Sequence, residues 1–318
     1  MNTVRINAYA KVNLTLEIVG EKNGYHLLDS LVASVDIADS LVLTKRKDAL
    51  STVIMHGLGS ESIPPEKNNA WKAAEAFSKA FGVNGANITV YKNIPMGAGL
   101  GGSSADVSGV LNGMAQLYGI TDRAKLKEIA DSLGSDTGYM LDGGFARMQG
   151  RGEQVTPIKT GAKLHFLLLC PDTSVSAGEC YKKYDELFAN GQDERQSATE
   201  SAMRALTRND KNGLGRYLMN DLYAPAAALN ADVKRAYEEA LSFSPLGAVM
   251  TGSGSCVLAF FETKELCEWA KSRYRGKFRA YVAQTIVPDY QPKKKQGGFF
   301  RNPFVLTDEE QELLKKDE

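Results

Sequence analysis

Between Pro95 and Asp106 the chain reads Pro-Met-Gly-Ala-Gly-Leu-Gly-Gly-Ser-Ser-Ala-Asp, with glycines at 97, 99, 101 and 102. Without Cβ atoms such a backbone can turn through positive φ and come close to another group. Val107, Val110, Leu111, Met114 and Leu117 then recur at helical spacing, so the glycines lead into a helix whose N-cap is expected at Ser103 or Ser104. A glycine-rich turn at a helix start presents unpaired N–H groups and the positive end of the helix dipole to one point. That is the chemistry of an anion site, with phosphate as its usual guest. The competing reading is a tight connection with no guest. Gly97, Gly99 and Gly102 also fit the spacing of a dinucleotide loop, but the helix is followed by Thr121-Asp122-Arg123 and a second helical pattern, not by an apolar strand ending in an acidic residue. No Gly-Lys-Ser/Thr follows, which excludes the P-loop. A phosphate loop of a third kind remains.

Other polar residues stand at informative positions. From Lys11 to Ile18, Val12, Leu14, Leu16 and Ile18 alternate with Lys11, Asn13, Thr15 and Glu17. This is the pattern of a half-buried strand with an amine and a carboxamide side by side, and a solvated strand face reads the same way. Asn23-Gly24-Tyr25-His26 is a turn carrying an aromatic ring and an imidazole, or a surface loop without a task. Asp136, within Gly134-Ser135-Asp136-Thr137-Gly138, is placed either as a helix N-cap or as a catalyst. Cys170, Cys180, Cys256 and Cys267 lack C-x-x-C spacing and fall in apolar or helical stretches, so they are expected to be reduced, as in a cytosolic protein. His26, His56 and His165 are too scattered to suggest a zinc site. Lys plus Arg and Asp plus Glu balance at 38 each, leaving no overall field to attract nucleic acid or a charged membrane. Met1-Asn2-Thr3-Val4-Arg5 lacks the apolar region of a signal peptide, and no apolar run approaches the ~20 residues of a membrane span; the expected location is the cytoplasm.

The elements that must position these residues follow from periodicity. Strands are expected at 30–37 and 40–44, a break at Ile63-Pro64-Pro65, a helix over 70–81, and a strand over 86–91 that delivers the chain into the glycine loop. A helix over 122–133 stops at Gly134, strand character resumes at 143–148, the chain loosens from Pro157 to Gly161, and 164–169 reads as a buried strand. Helices near 177–189, 196–208, 211–219 and 230–242, a strand at 247–250, the turn Thr251-Gly252-Ser253-Gly254-Ser255, a strand at 256–261, a helix at 264–274 and a strand at 278–286 complete an α+β pattern. The expected domains are 1–160 and 161–287. A tail, 288–318, holds a basic linker at 293–298 and a capping box of Thr307 with Glu310. It is expected to be a disordered end, although it could dock on the body or on a second subunit.

Taken together, Ala10-Lys11-Val12-Asn13-Leu14, Gly24-Tyr25-His26, the glycine loop, Asp136 and Gly252-Ser253-Gly254-Ser255 resemble the three-motif pattern of the GHMP kinases, the superfamily of galactokinase, homoserine kinase, mevalonate kinase and phosphomevalonate kinase. The resemblance runs over nearly the whole chain except the tail. Its more discriminating part, Lys-x-Asn-Leu followed by Gly-Tyr-His, is similar to the branch that acts on a cytidylyl alcohol. The resemblance implies a two-domain architecture with mixed sheets and packed helices, and an active site in the cleft between domains. It implies ATP as phosphoryl donor with Mg2+, acting on a hydroxyl of 4-(cytidine 5'-diphospho)-2-C-methyl-D-erythritol to give its 2-phosphate, in non-mevalonate isoprenoid precursor synthesis.

Residue by residue, it implies that Pro95, Gly97, Ala98, Gly99, Leu100, Gly101, Gly102, Ser103 and Ser104 wrap the ATP phosphates, with Ser104, or Ser103 in a shifted register, assisting the magnesium ion. It makes Lys11 and Asp136 catalytic, the carboxylate taking the hydroxyl proton with the amine close by. Tyr25 and His26 would hold the cytosine, Asn13 the polar middle of the substrate, and Gly252, Ser253 and Gly254 would support the site from the second domain. Phosphoryl transfer asks for placement and charge neutralisation more than for covalent catalysis, which suits these residue types. Asn69 stands where the family commonly has Leu, and Ala177 where it often has Thr. Two other readings stay open: a kinase of another small alcohol such as mevalonate phosphate or homoserine, which lack a base for Gly24-Tyr25-His26 to hold, and a catalytically silent nucleotide-binding protein. The implied partners are small molecules, neither nucleic acid nor membrane, and a homodimer is compatible with the pattern.

Overall fold

In the computed structural model the described residues are 2–57, 64, 67–189 and 196–290. The expected break at Ile63-Pro64-Pro65, apart from Pro64, and the linker and capping box of the tail lie outside them. β1 (Thr3–Asn13) runs antiparallel to β3 (Tyr25–Lys45), and β2 (Thr15–Lys22) turns back into β3 through Asn23-Gly24. Both turn residues take positive φ, 54° and 74°, as a two-residue hairpin turn requires. The two strands expected at 30–37 and 40–44 are thus one. β3 changes partners along its length without breaking, flanked first by β2 and β6 (Phe145–Gly150), then by β1 and β5 (Ala86–Tyr91).

β4 (Thr52–His56) lies parallel to β5 at one edge, and β7 (Gln154–Ile158) lies against β6 at another. The sequence reads only a loosening chain near β7, because Pro157 argues against a strand; an edge position tolerates it. β9 (Met219–Asn220) joins this sheet parallel to β2, so the chain's second half reaches into the first sheet. The alternating stretch 11–17 is not half-buried as expected. Lys11, Asn13, Thr15 and Glu17 are all at most 5 % exposed, because their polar face meets α6 (Ala198–Thr207) and residues 251–252 instead of water.

α2 (Gly102–Tyr118) is the central helix, with twelve of its seventeen residues buried, so packing and not propensity holds it. Val110, Leu111, Met114 and Leu117 face the core, each contributing roughly 1.5–3 kcal/mol by burial. The helix lies so close to the sheet that a Cβ on Gly109 would come within 2.9 Å of Ala8 Cβ. α1 (Asn69–Phe81) and α3 (Arg123–Leu133) pack beside it, capped by Asn68 and Asp122, and α4 (Thr137–Met140) follows.

The second sheet is antiparallel in the order β10 (Gly247–Met250), β11 (Val257–Phe261), β8 (His165–Cys170), β12 (Arg279–Gln284). α9 (Ala231–Leu241) and α10 (Lys264–Arg273) pack against it. α5 (Ala177–Leu187), α7 (Lys211–Tyr217) and α8 (Tyr223–Leu229) complete the described helices. The sequence reading lacks α8, a seven-residue helix with Pro225 in its first turn, where the missing N–H costs nothing. The architecture is α+β, two sheets with packed helices and cavities between them. The four cysteines are free and buried. Among the described residues no helix is long and apolar enough to cross a membrane.

Candidate active site

β5 carries the chain into the glycine loop, where Gly97, Gly99 and Gly101 all take positive φ. The N-cap of α2 is Gly101, not Ser103 or Ser104. Its left-handed φ of 72° starts the helix earlier than a serine cap would, and puts both serines inside the first turn. Ser103 Oγ there accepts from Asn69 Nδ2 at 2.9 Å. No acidic side chain occupies that first turn to compete with an incoming anion. A Cβ on Gly99 would fall 2.1 Å from the carbonyl oxygen of Thr251, so the loop and the 251–255 turn meet backbone to backbone. Cys256 N donates to Ala98 O at 3.2 Å across the same contact. All nine residues expected to wrap phosphate line one cavity of about 300 Å³, together with Asn68 and Asn69 at the start of α1.

Lys11 is aimed by a β-bulge. The register of β1 shifts between Tyr9 and Lys11, and the Lys11 N–H bonds Leu100 O in the loop at 3.0 Å. Its Nζ lies 2.7 Å from Asn13 Oδ1 and 3.2 Å from Asp136 Oδ2. Asp136 occupies the N-cap position of α4 but makes no side-chain cap bond there; the carboxylate turns to Lys11 instead. Its side chain is 31 % exposed and that of Lys11 only 6 %, so the carboxylate reaches the cavity while the ammonium stays within the protein. Asn13 is engaged internally. Its Oδ1 accepts from Lys11 Nζ and, at 3.0 Å, from Gly252 N, while Nδ2 donates to Ser30 Oγ at 2.8 Å. Asn13 borders the cavity, as a contact for the substrate's middle would, and these bonds also brace Lys11.

Lys11 and Asp136 belong to a second cavity of about 770 Å³, which shares Gly99, Gly101 and Ser104 with the first. Tyr25 and His26 form part of its wall, from the first turn of β3. The His26 ring stacks on Tyr181 with centroids 4.9 Å apart and 19° between planes, and its Nε2 is 2.7 Å from Asp185 Oδ1. The Arg151 guanidinium sits 3.8 Å above the Tyr25 ring. Gly252 and Ser253 line this cavity; Gly254 does not, since it backs onto Met250 and Val233. Asn220 braces the turn by donating to Met250 O and Gly252 O.

Tyr181 and Asp185 escape the sequence reading. Tyr181 and Asp185 are four apart on α5, a spacing that shows one shared helix face but not what it meets. Arg151, between Gly150 and Gly152, is visible as a cation in a turn without a stated role.

Two sheets with packed helices, a glycine-rich loop opening a helix and a Lys–Asp pair beside it make up the pattern that resembles the GHMP class of kinases. Residues 68–146 match the GHMP kinases N terminal domain, and residues 202–278 the GHMP kinases C terminal domain. The chain is 35 % identical over 294 residues to the 4-diphosphocytidyl-2-C-methyl-D-erythritol kinase of Symbiobacterium thermophilum, covering 89 % of this chain and 100 % of that one. It is 31 % identical over 289 residues to the enzyme of the same name from Clostridium tetani, covering 89 % and 100 %. A crystal structure of 4-(cytidine 5'-diphospho)-2C-methyl-D-erythritol kinase superposes with a TM-score of 0.73 at 28 % identity, over 88 % of this chain and 98 % of that one. The chain belongs to the 4-diphosphocytidyl-2-C-methyl-D-erythritol kinase family of the GHMP kinases.

Proposed function

We propose that this chain transfers the terminal phosphoryl group of ATP to the 2-hydroxyl of 4-(cytidine 5'-diphospho)-2-C-methyl-D-erythritol. The observation that carries the reading is the junction of the two cavities. The phosphate loop walls one, an aromatic cluster walls the other, and Lys11 with Asp136 stands beside the glycines they share. ATP in the first cavity brings its phosphates to that border. In the second, the rings of Tyr25, His26 and Tyr181 offer stacking surface to a cytosine, and Arg151 and Lys182 offer cations to a diphosphate.

Asp136 accepts the hydroxyl proton as the oxygen attacks, and ADP leaves from the opposite side. Lys11, held by Asn13 and the Leu100 carbonyl, fixes the carboxylate and adds positive charge where negative charge spreads. Among the described residues no cluster of three or more His, Cys, Asp or Glu could hold a metal by itself. Mg2+ keeps several waters and takes phosphate oxygens, so few protein ligands suffice. Ser104, bordering both cavities, fits that sparse set and would help hold the ion, which when bound neutralises phosphate charge. Residues 1–160 and 161–287 act in this reading as two domains, and the balanced charge and reduced cysteines support a cytoplasmic enzyme.

ADP release from purified protein is the test, offering the cytidylyl alcohol beside phosphomevalonate and homoserine. ADP with the cytidylyl compound alone supports the proposal. Turnover of another alcohol instead, or of none, overturns it in favour of a different kinase or a silent nucleotide-binding protein.

A further inference from the structure

The two ends of the phosphate loop are joined by a buried cluster to which the proposed transfer step assigns no role, and whose Lys92 and Asp106 also border the nucleotide cavity. Lys92, the first residue after β5, leads into the loop, and Asp106, in the second turn of α2, lies just beyond it. The Lys92 ammonium donates to Asp106 Oδ2 at 2.6 Å and to Asp39 Oδ2 on β3, and all three side chains are at most 5 % exposed. The other oxygen of Asp39 accepts from the backbone N–H groups of Asn93 and Ile94, at 2.6 and 2.9 Å. Asp39 thus binds the segment leading in, and Lys92 ties that segment to the helix leading out.

A buried ion cluster is weak evidence for stability, since desolvation offsets most of its attraction. This one is also incomplete, because Asp106 Oδ1 is buried and has no hydrogen-bond partner among the described residues. The ammonium lies 3.6 Å from where a Cβ on Gly102 would be, under the positive end of the α2 dipole, which by itself opposes a cation. Two carboxylates offset that repulsion and hold the ammonium in place behind the loop. A cluster that is costly to bury, short of one partner and set against the loop's first helical residue is better explained by geometry than by stability.

We propose that Asp39, Lys92 and Asp106 are positioning residues, which hold the two ends of the phosphate loop at the separation that aims its backbone N–H groups at the phosphates of the nucleotide. The inference rests on the kinase reading for the nucleotide but not for the alcohol. The experiment therefore reads nucleotide binding separately from turnover. Asp106→Leu keeps the side chain's bulk and removes the acceptor, while Asp106→Asn keeps an acceptor for Lys92.

The Kd of a non-hydrolysable ATP analogue is measured by calorimetry for the full chain, beside the KM of the cytidylyl alcohol and the melting temperature. The expected result is a Kd for the analogue about tenfold weaker in Asp106→Leu, an alcohol KM within about twofold of the parent, and recovery of the Kd to within about threefold in Asp106→Asn. A merely structural role would lower the melting temperature and leave the analogue Kd within about threefold of the parent in both variants, and that result overturns the proposal. Should Asp106→Leu not fold, Asp39→Asn is read by the same Kd. Weakening by more than about threefold supports the proposal, and a smaller change overturns it. A parent protein that binds the analogue but does not turn over the alcohol would fail the assignment of acceptor while leaving this test intact.

Discussion

Asp136 and Lys11 face each other at 3.2 Å with the ammonium buried and the carboxylate open to the cavity, where the proposed reaction has Asp136 meet the incoming hydroxyl. Asp136→Ala is therefore expected to lower kcat about 10²–10⁴-fold, the range for losing a general base. Because the side chain is partly exposed and caps nothing, the melting temperature should barely move. Substrate-saturated ADP release beside thermal unfolding checks this, and near-parental kcat would remove Asp136 from the mechanism. Gly99 is constrained in another way. Alanine there must take a φ of 78° and place its Cβ 2.1 Å from Thr251 O, so the loop or the 251–255 turn has to shift. Gly99→Ala should lose about 1–3 kcal/mol of stability and weaken nucleotide binding together, read by unfolding and by calorimetry. At this scale residue type marks the glycines, Lys11 and Asp136 as candidates, and the structure brings them to one border. Residue type does not show partners: the bonds of Asn13 to Gly252 and Ser30, and the stacking of Tyr181 on His26, join positions that no local pattern connects.

α6 is held to the first sheet by a carboxylate. Glu17 on β2 accepts from the N–H groups of Ala198 and Thr199 and from Ser197 Oγ, so it caps a helix from the far half of the chain. Burial raises the Glu17 carboxyl, but the hydrogen bonds from Thr199, Ala198 and Ser197 outweigh it and leave it below the usual 4.5. A carboxylate lowered on folding contributes stability that is present above its unfolded value and is lost as the pH falls through the folded one. Glu17→Gln should thus cost about 2 kcal/mol at pH 7, the scale of a charge-assisted bond, with the difference from the parent shrinking below about pH 4. Urea unfolding at pH 7 and at pH 3.5 measures it, and an equal loss at both would refute the ionic account. The same strand shows why some elements are readable and others are not. α1, β5 and β10 end within a residue of their expected limits because caps, glycines and apolar periodicity are local. The burial of both faces of residues 11–17 is set by α6 and the 251–252 turn, nearly 200 or more residues away, and no local pattern carries it.

At the scale of the whole molecule, the ties between the first and second halves of the chain include His26 to Asp185, Asn13 to Gly252, and Gly99 to Thr251. Each joins a residue before 100 to one after 180, and each lies beside a cavity that a ligand would fill. A molecule seated there binds the folded chain and not the unfolded one, so it adds stability by mass action, about 2.7 kcal/mol at a hundred times its Kd. For a chain of this size that corresponds to a rise in Tm of roughly 4 °C. A non-hydrolysable ATP analogue and the cytidylyl alcohol, added singly at that excess, should each produce such a rise, because each has its own cavity. Cytidine diphosphate without the methylerythritol should retain most of the second shift, since the rings of Tyr25, His26 and Tyr181 and the cations Arg151 and Lys182 face the base and the diphosphate in the proposed pose. Replacing Tyr181 by Ala removes the ring that stacks on His26 and should abolish the cytidine-dependent shift while leaving that of the ATP analogue intact. Loss of both shifts together would mean that the two cavities act as one site, and a preserved cytidine shift would place the base elsewhere in the cleft.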